Sequence, residues 1–256
     1  MDFLDKLVIP QPDYNLNLLN IFMILGMTIF LVYSGIMFGS TVLSVYFRNK
    51  SKNRNGNFLQ LAKEYASLTT EKGAYAFGLA IIPYLSVIFI YAQLLHKTGA
   101  EVVFYLILGF VIYLAGIITA YSYHKSFILS GLFSSLKGKV TEEDGSLFED
   151  TASISETTFK RFRAMGNWTL LLQFLGLWIF VGSIALALNS KIWGSATIIN
   201  VLFGTDAIIE FLQFISIAFS VSAITYLFRK FYWDDKNEYV SEDYLDFTKK
   251  TNSWIA

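Results

Sequence analysis

Five long stretches almost free of charge, residues 17–47, 74–95, 102–122, 168–188 and 207–228, alternate with segments that carry nearly all the charge of the chain. Each is long enough to cross about 30 Å of hydrocarbon as a helix. Inside hydrocarbon no water bonds the backbone, so each segment must satisfy its own amides, which a helix does. The pattern predicts an all-α fold: a polytopic membrane helix bundle of five transmembrane helices forming a single integral membrane domain over 1–256. Composition points the same way. With 54% hydrophobic and 17% aromatic residues, the chain holds more apolar surface than one soluble core requires.

Net charge is zero, but its distribution is lopsided. Segments 48–73, 123–167 and 229–256 carry six, six and five Lys plus Arg, whereas the N-terminus, 96–101 and 189–206 carry one each. Positive charge accumulates on the cytoplasmic side of membrane proteins. The expected arrangement has cytoplasmic loops 48–73 and 123–167, a cytoplasmic tail 229–256, the N-terminus outside and the C-terminus inside. An odd number of spans places the termini on opposite faces, as this requires. The N-terminus, with Asp2, Asp5 and Asp13 against Lys6, lacks the pattern of a cleavable signal, and the first apolar run is too long for one.

Loops of this kind face anionic lipid, which accounts for their Lys and Arg without nucleic acid. The absence of cysteine removes disulfides, thiolate metal sites, iron–sulfur clusters and covalent c-type haem attachment. No phosphate-binding loop, metal-ligand spacing or paired nucleophile and base is present, so no catalytic residue and no metal site is assigned.

Local signals refine this outline. Pro83 removes a backbone donor and predicts a kink within the second span. The six residues 96–101 between spans two and three demand an antiparallel hairpin. Segment 123–167 reads as a solvated loop with a short surface helix around 151–165, whose Phe159, Phe162 and Met165 would face lipid. The tail is consistent with a docked helix or a disordered end. Gly35, Gly39 and Ser40, with Ser34, give the first span a small-residue face for a helix interface, either within the chain or with another subunit.

Two histidines are candidate haem ligands. His96 follows the outer end of span two and His124 the inner end of span three, about a membrane thickness apart, so one iron cannot take both. An interfacial histidine reaching the headgroups is the competing reading. Glu210 is the one acidic residue inside an apolar run, and Asp206, Glu210 and Gln213 share a helix face at i, i+4 and i+7. An intramembrane carboxylate is a functional hypothesis by default, as a proton acceptor for quinol or a polar contact to a partner helix. Its position near the outer end also admits a carboxylate that simply reaches water.

Residues 8–125 resemble membrane subunits related to cytochrome bd oxidase subunit I. The likeness rests on Ile9-Pro10-Gln11-Pro12 before a long first span through Phe38-Gly39-Ser40, then Leu61-Ala62-Lys63, then the run Ala76 to Pro83. It implies a helical subunit of a quinol-linked respiratory complex in a bacterial inner membrane, with haem b held inside the bundle. Aligned on Gly39, the first-span haem ligand of such relatives falls on Phe30, which cannot bind iron. The resemblance therefore implies a non-catalytic subunit without haem of its own, beside cytochrome or iron–sulfur subunits, with haem b or quinone at a subunit interface. A membrane scaffold or transport-associated subunit without a redox role is the alternative.

Overall fold

A computed structural model describes residues 13–51, 56–95, 101–137, 146–190, 193, 197–233 and 241–255. Among them the chain is helical, without strands. The helices are α1, Asp13–Lys50; α2, Gly56–Ser67; α3, Gly73–Leu94; α4, Val102–Lys137; α5, Ser146–Leu188; α6, Ile198–Phe203; α7, Thr205–Phe228; and α8, Glu242–Ile255. α1, α3, α4, α5 and α7 are each long and apolar enough to cross a membrane.

Three helices outrun their apolar runs. α1 has 38 residues, α4 36 and α5 43, against about 20 for a span. Segment 123–167 is thus largely the continuation of α4 and α5 rather than a loop with one short surface helix. Helix propagation is cheap once a helix exists, and neither Tyr123-His124-Lys125 nor the stretch 151–165 contains proline. Of the three side chains expected to face lipid there, Met165 packs instead against the core; those of Phe159 and Phe162 lie outside the described residues.

Glycine decides which helices pair. α4 and α5 lie against one another along their length, because Gly109, Gly116 and Gly176 sit where the two backbones touch. A Cβ on Gly176 would stand 2.7 Å from the Tyr113 nitrogen, and one on Gly116 would stand 3.1 Å from the Gln173 nitrogen. Such closeness supplies the van der Waals contact that holds helices together where no hydrophobic drive exists. The hairpin expected from residues 96–101 is present as an α3–α4 contact, but α4–α5 is the more extensive pairing.

α1 is the central post, touching α2, α3, α5 and α7. The core around it is aromatic. Phe30 is fully buried, its ring centroid 4.8 Å from Tyr84, 5.5 Å from Tyr113 and 4.6 Å from Phe180. Two of these contacts are edge-to-face, the geometry ring quadrupoles favour.

Pro83 follows a change of helical register. The five residues before Ile82, Phe77–Ile81, form a π-helical turn, and the Ile82 amide donates to the Phe77 carbonyl five residues back. That register change precedes the proline that cannot bond back to residue 79, one of the adjustments by which membrane helices accommodate proline.

α2 falls in the segment read as a loop. Its Leu61, Ala62, Tyr65 and Ala66 are buried, one stripe of an amphipathic helix. Tyrosine and serine hydroxyls from the long helices complete the backbone bonding here. Ser44 donates to the Ala62 carbonyl at 2.7 Å, Tyr33 to that of Thr69 at 3.0 Å, and Tyr121 to that of Lys72 at 3.2 Å. The carbonyls of Thr69 and Lys72 lie past the end of α2, where helical partners run out.

Candidate functional site

α7 begins at Thr205 after the Gly204 cap and sets its polar residues on one flank near that end. Glu210 is half-buried and Gln213 exposed; both line a groove of about 380 Å³ between α1, α5 and α7. Leu31 and Val32 of α1, Phe180 and Ile184 of α5, and Phe214 and Ile217 of α7 give it apolar walls. Thr28, also in the lining, already donates to the Ile24 carbonyl at 2.8 Å. Glu210 and Gln213 make no hydrogen bond to any described residue. The groove therefore offers a carboxylate and a carboxamide above an apolar slot, with Asp206 and Tyr91 close enough to Glu210 to interact with it electrostatically. Asp206, one turn earlier, is exposed and stands outside the lining. The expected three-residue face contributes two residues to the groove.

The other predicted positions separate from this site. His124 is half-buried in α4 beside the backbone of Thr70, with Glu71, Lys63 and Arg229 around it. It ties the long helices to the segment after α2. His96, like Ile9-Pro10-Gln11-Pro12, lies outside the described residues. No group of three or more His, Asp or Glu that could hold a metal is found among the described residues. At Phe30, where the resemblance puts a haem ligand in relatives, the neighbouring space is filled by Tyr84, Tyr113 and Phe180, all three fully buried.

The small-residue face of α1 meets α7. A Cβ on Gly35 would lie 3.6 Å from the Ala218 Cα, and one on Gly39 would collide with the Ala218 carbonyl and the Ser222 hydroxyl. Ser222 donates across the contact to the Ile36 carbonyl at 3.1 Å. Ser40 is buried beside them and bonds back to the Met37 carbonyl at 3.1 Å.

A second polar centre, at the end of the bundle where Lys and Arg collect, has no counterpart in the sequence reading. Glu64 of α2 receives Lys230 Nζ at 2.9 Å, the Tyr244 hydroxyl at 3.1 Å, and the Tyr226 hydroxyl. Tyr226 stacks on Tyr65 at 4.7 Å, and Tyr65 donates to Asn252. Lys230 is placed by a π-helical turn, Arg229–Trp233, that continues α7. Burial pushes the Tyr65 phenol up, and burial followed by the Glu64 charge does the same for Tyr244, so both stay protonated donors. One carboxylate thus joins α2, the end of α7 and α8. The i, i+4, i+8 spacing of Tyr244, Thr248 and Asn252, all buried, is the signal that could have docked α8.

Comparison with protein-family models, curated proteins and solved structures returns no match.

Proposed function

We propose that the chain is a non-catalytic integral membrane subunit of a quinol-linked electron-transfer complex in a bacterial inner membrane. Its N-terminus lies outside and its C-terminus inside. It packs beside cytochrome or iron–sulfur subunits and borders a quinone pocket. The observation that carries this reading is the groove between α1, α5 and α7. A membrane-embedded slot with apolar walls and a few convergent polar groups is how small lipid-soluble molecules are held, and Glu210 with Gln213 supplies those groups. The aromatic packing around Phe30 supports a chain without haem at that position. The likeness over residues 8–125 supports the respiratory setting.

Purification in mild detergent tests it, with mass spectrometry of co-purifying chains, a reduced-minus-oxidised spectrum and extraction of bound quinone. Cytochrome or iron–sulfur subunits and stoichiometric quinone are the expected result. Transporter or secretion components in their place would contradict the proposal and favour the scaffold alternative.

A further inference from the structure

A second cleft, of about 380 Å³, opens between α1 and α5 toward the end of the bundle where Lys and Arg collect. Val42 of α1 and Leu170 and Leu171 of α5 make its apolar walls, and Phe38 and Phe174, ring centroids 6.4 Å apart, stand at its deep end. Asn167 stands at its mouth, and the helix from there to Phe174 sets the depth at about 10 Å, at 1.5 Å per residue. Trp168, next to Asn167, is 56% exposed, as a tryptophan at the headgroup level is.

Arginine gathers at that mouth. Arg48 of α1 is 5% exposed, donates to the Asn167 carboxamide oxygen at 3.3 Å, and lies 5.6 Å from the centre of the Tyr123 ring. Gly166 leaves room for it, since a Cβ there would stand 2.5 Å from Arg48 Nη1. Arg163, one turn before Asn167 on α5, is exposed and close enough to Arg48 to interact with it electrostatically. The surrounding helices bring no acid to this level: α1 has no Asp or Glu from Tyr14 to Lys50, α5 none from Thr157 to Leu188, and α4 none at all. Two guanidiniums of like charge thus share a membrane interface above an apolar slot. Guanidinium matches the geometry of phosphate, and basic pockets between membrane helices hold anionic headgroups. A zwitterionic head would bring its own cation against the arginines, and a soluble anion would leave the slot unused.

We infer that this cleft is a binding site for an anionic phospholipid. Arg163 donates to the headgroup phosphate, and Arg48 adds a fixed positive charge behind it. Asn167, its oxygen engaged by Arg48, offers its amide nitrogen to the lipid. One acyl chain lies between α1 and α5 down to Phe38 and Phe174. The site is independent of the quinol-linked reading and of any partner subunit.

Native mass spectrometry of the purified full chain in detergent tests it, by titration with dioleoyl phosphatidylglycerol, dioleoyl phosphatidylcholine and, as a head without chains, glycerol phosphate. The first phosphatidylglycerol is expected to bind at least about fivefold tighter than phosphatidylcholine, the scale of one basic residue at an anionic headgroup. Arg163→Gln should remove that preference and leave phosphatidylcholine unchanged. Leu171→Trp, at a position 47% exposed and so free to enlarge without disturbing the fold, should weaken both lipids by filling the slot. Lys249→Gln, an equal loss of charge at an exposed position of α8, should change neither. Glycerol phosphate should not displace the lipid. Equal binding of the two lipids, a preference that survives Arg163→Gln, or binding indifferent to Leu171→Trp would overturn the inference. So would a preference that falls as far with Lys249→Gln, which would mean a diffuse attraction to the basic end, or displacement by glycerol phosphate, which would make this a site for a soluble anion.

Discussion

Gly39 shows how much one hydrogen in place of a side chain can decide. Its neighbours across the contact are the Ala218 backbone and the Ser222 hydroxyl, and backbone cannot step aside as a flexible side chain can. Gly39→Leu is expected to cost at least the 1–3 kcal/mol typical of overpacking. Leu25→Ala on the same helix should cost less, since Leu25 is 56% exposed. Thermal unfolding in detergent orders the two, and a Gly39→Leu chain as stable as the parent would contradict the α1–α7 contact.

Glu64 is the second residue on which a prediction turns. It accepts from Lys230, which is buried to 9% exposure, and from the Tyr226 and Tyr244 hydroxyls, and a hydrogen bond to a charged group is worth about 1.5–3 kcal/mol. Glu64→Gln, which takes the charge from all three bonds, should therefore destabilise more than Tyr244→Phe, which deletes one of them. The same unfolding measurement decides it, and the reverse order would mean that the ion pair is not the anchor.

Residue by residue, legibility followed chemistry. Small residues at Gly35 and Gly39 advertise a close helix contact, and Glu210 advertises itself by being charged in an apolar run. Glu64 gave no such signal, because a carboxylate in a charged segment looks like any solvated one. Only the return of α8 and the end of α7 from distant sequence brings its partners to it.

Among the elements, the α4–α5 pair depends on glycines whose role is visible only in the packed structure. Gly109 and Gly116, seven residues apart, lie on α4, and Gly176 faces Tyr113 from α5. Gly131, further along α4, has nothing within 4 Å of the place its Cβ would occupy. Gly176→Ala is expected to destabilise by about 1–3 kcal/mol through overpacking. Gly131→Ala should stabilise by roughly 0.5–1 kcal/mol through helix propensity alone. Unfolding midpoints of the two variants should move in opposite directions, and equal shifts would argue against the close α4–α5 approach.

Helix lengths were only half legible. The apolar runs located five spans, but charge at Lys125 and Lys160 hid the fact that α4 and α5 run on past them. Hydropathy reports what a helix can be buried in. It does not report where the hydrogen-bonded ladder stops, which no proline forces here. α2 was missed for a related reason, since its stripe of Leu61, Ala62, Tyr65 and Ala66 is too short to register among long apolar runs.

At the scale of the whole molecule, the number and order of the spans were written in the alternation of apolar and charged segments, because hydrocarbon imposes a length that few other constraints do. Which spans touch was not. α1 stands against α3, α5 and α7 because ring shapes and glycines fit there, and pairwise fit leaves no periodic trace in one sequence. The groove between α1, α5 and α7 inherits that opacity, since its walls come from three distant segments.

The central claim is a five-span chain with its basic end in the cytoplasm. A chain without cysteine can be mapped cleanly by single cysteines and a membrane-impermeant maleimide on intact cells. Cysteine at Glu101 or Ser190 should label from outside, whereas cysteine at Gln60, Ser130 or Ser253 should label only after the membrane is opened. Labelling of the Ser130 or Ser253 position on intact cells, or protection of both Glu101 and Ser190, would contradict the account.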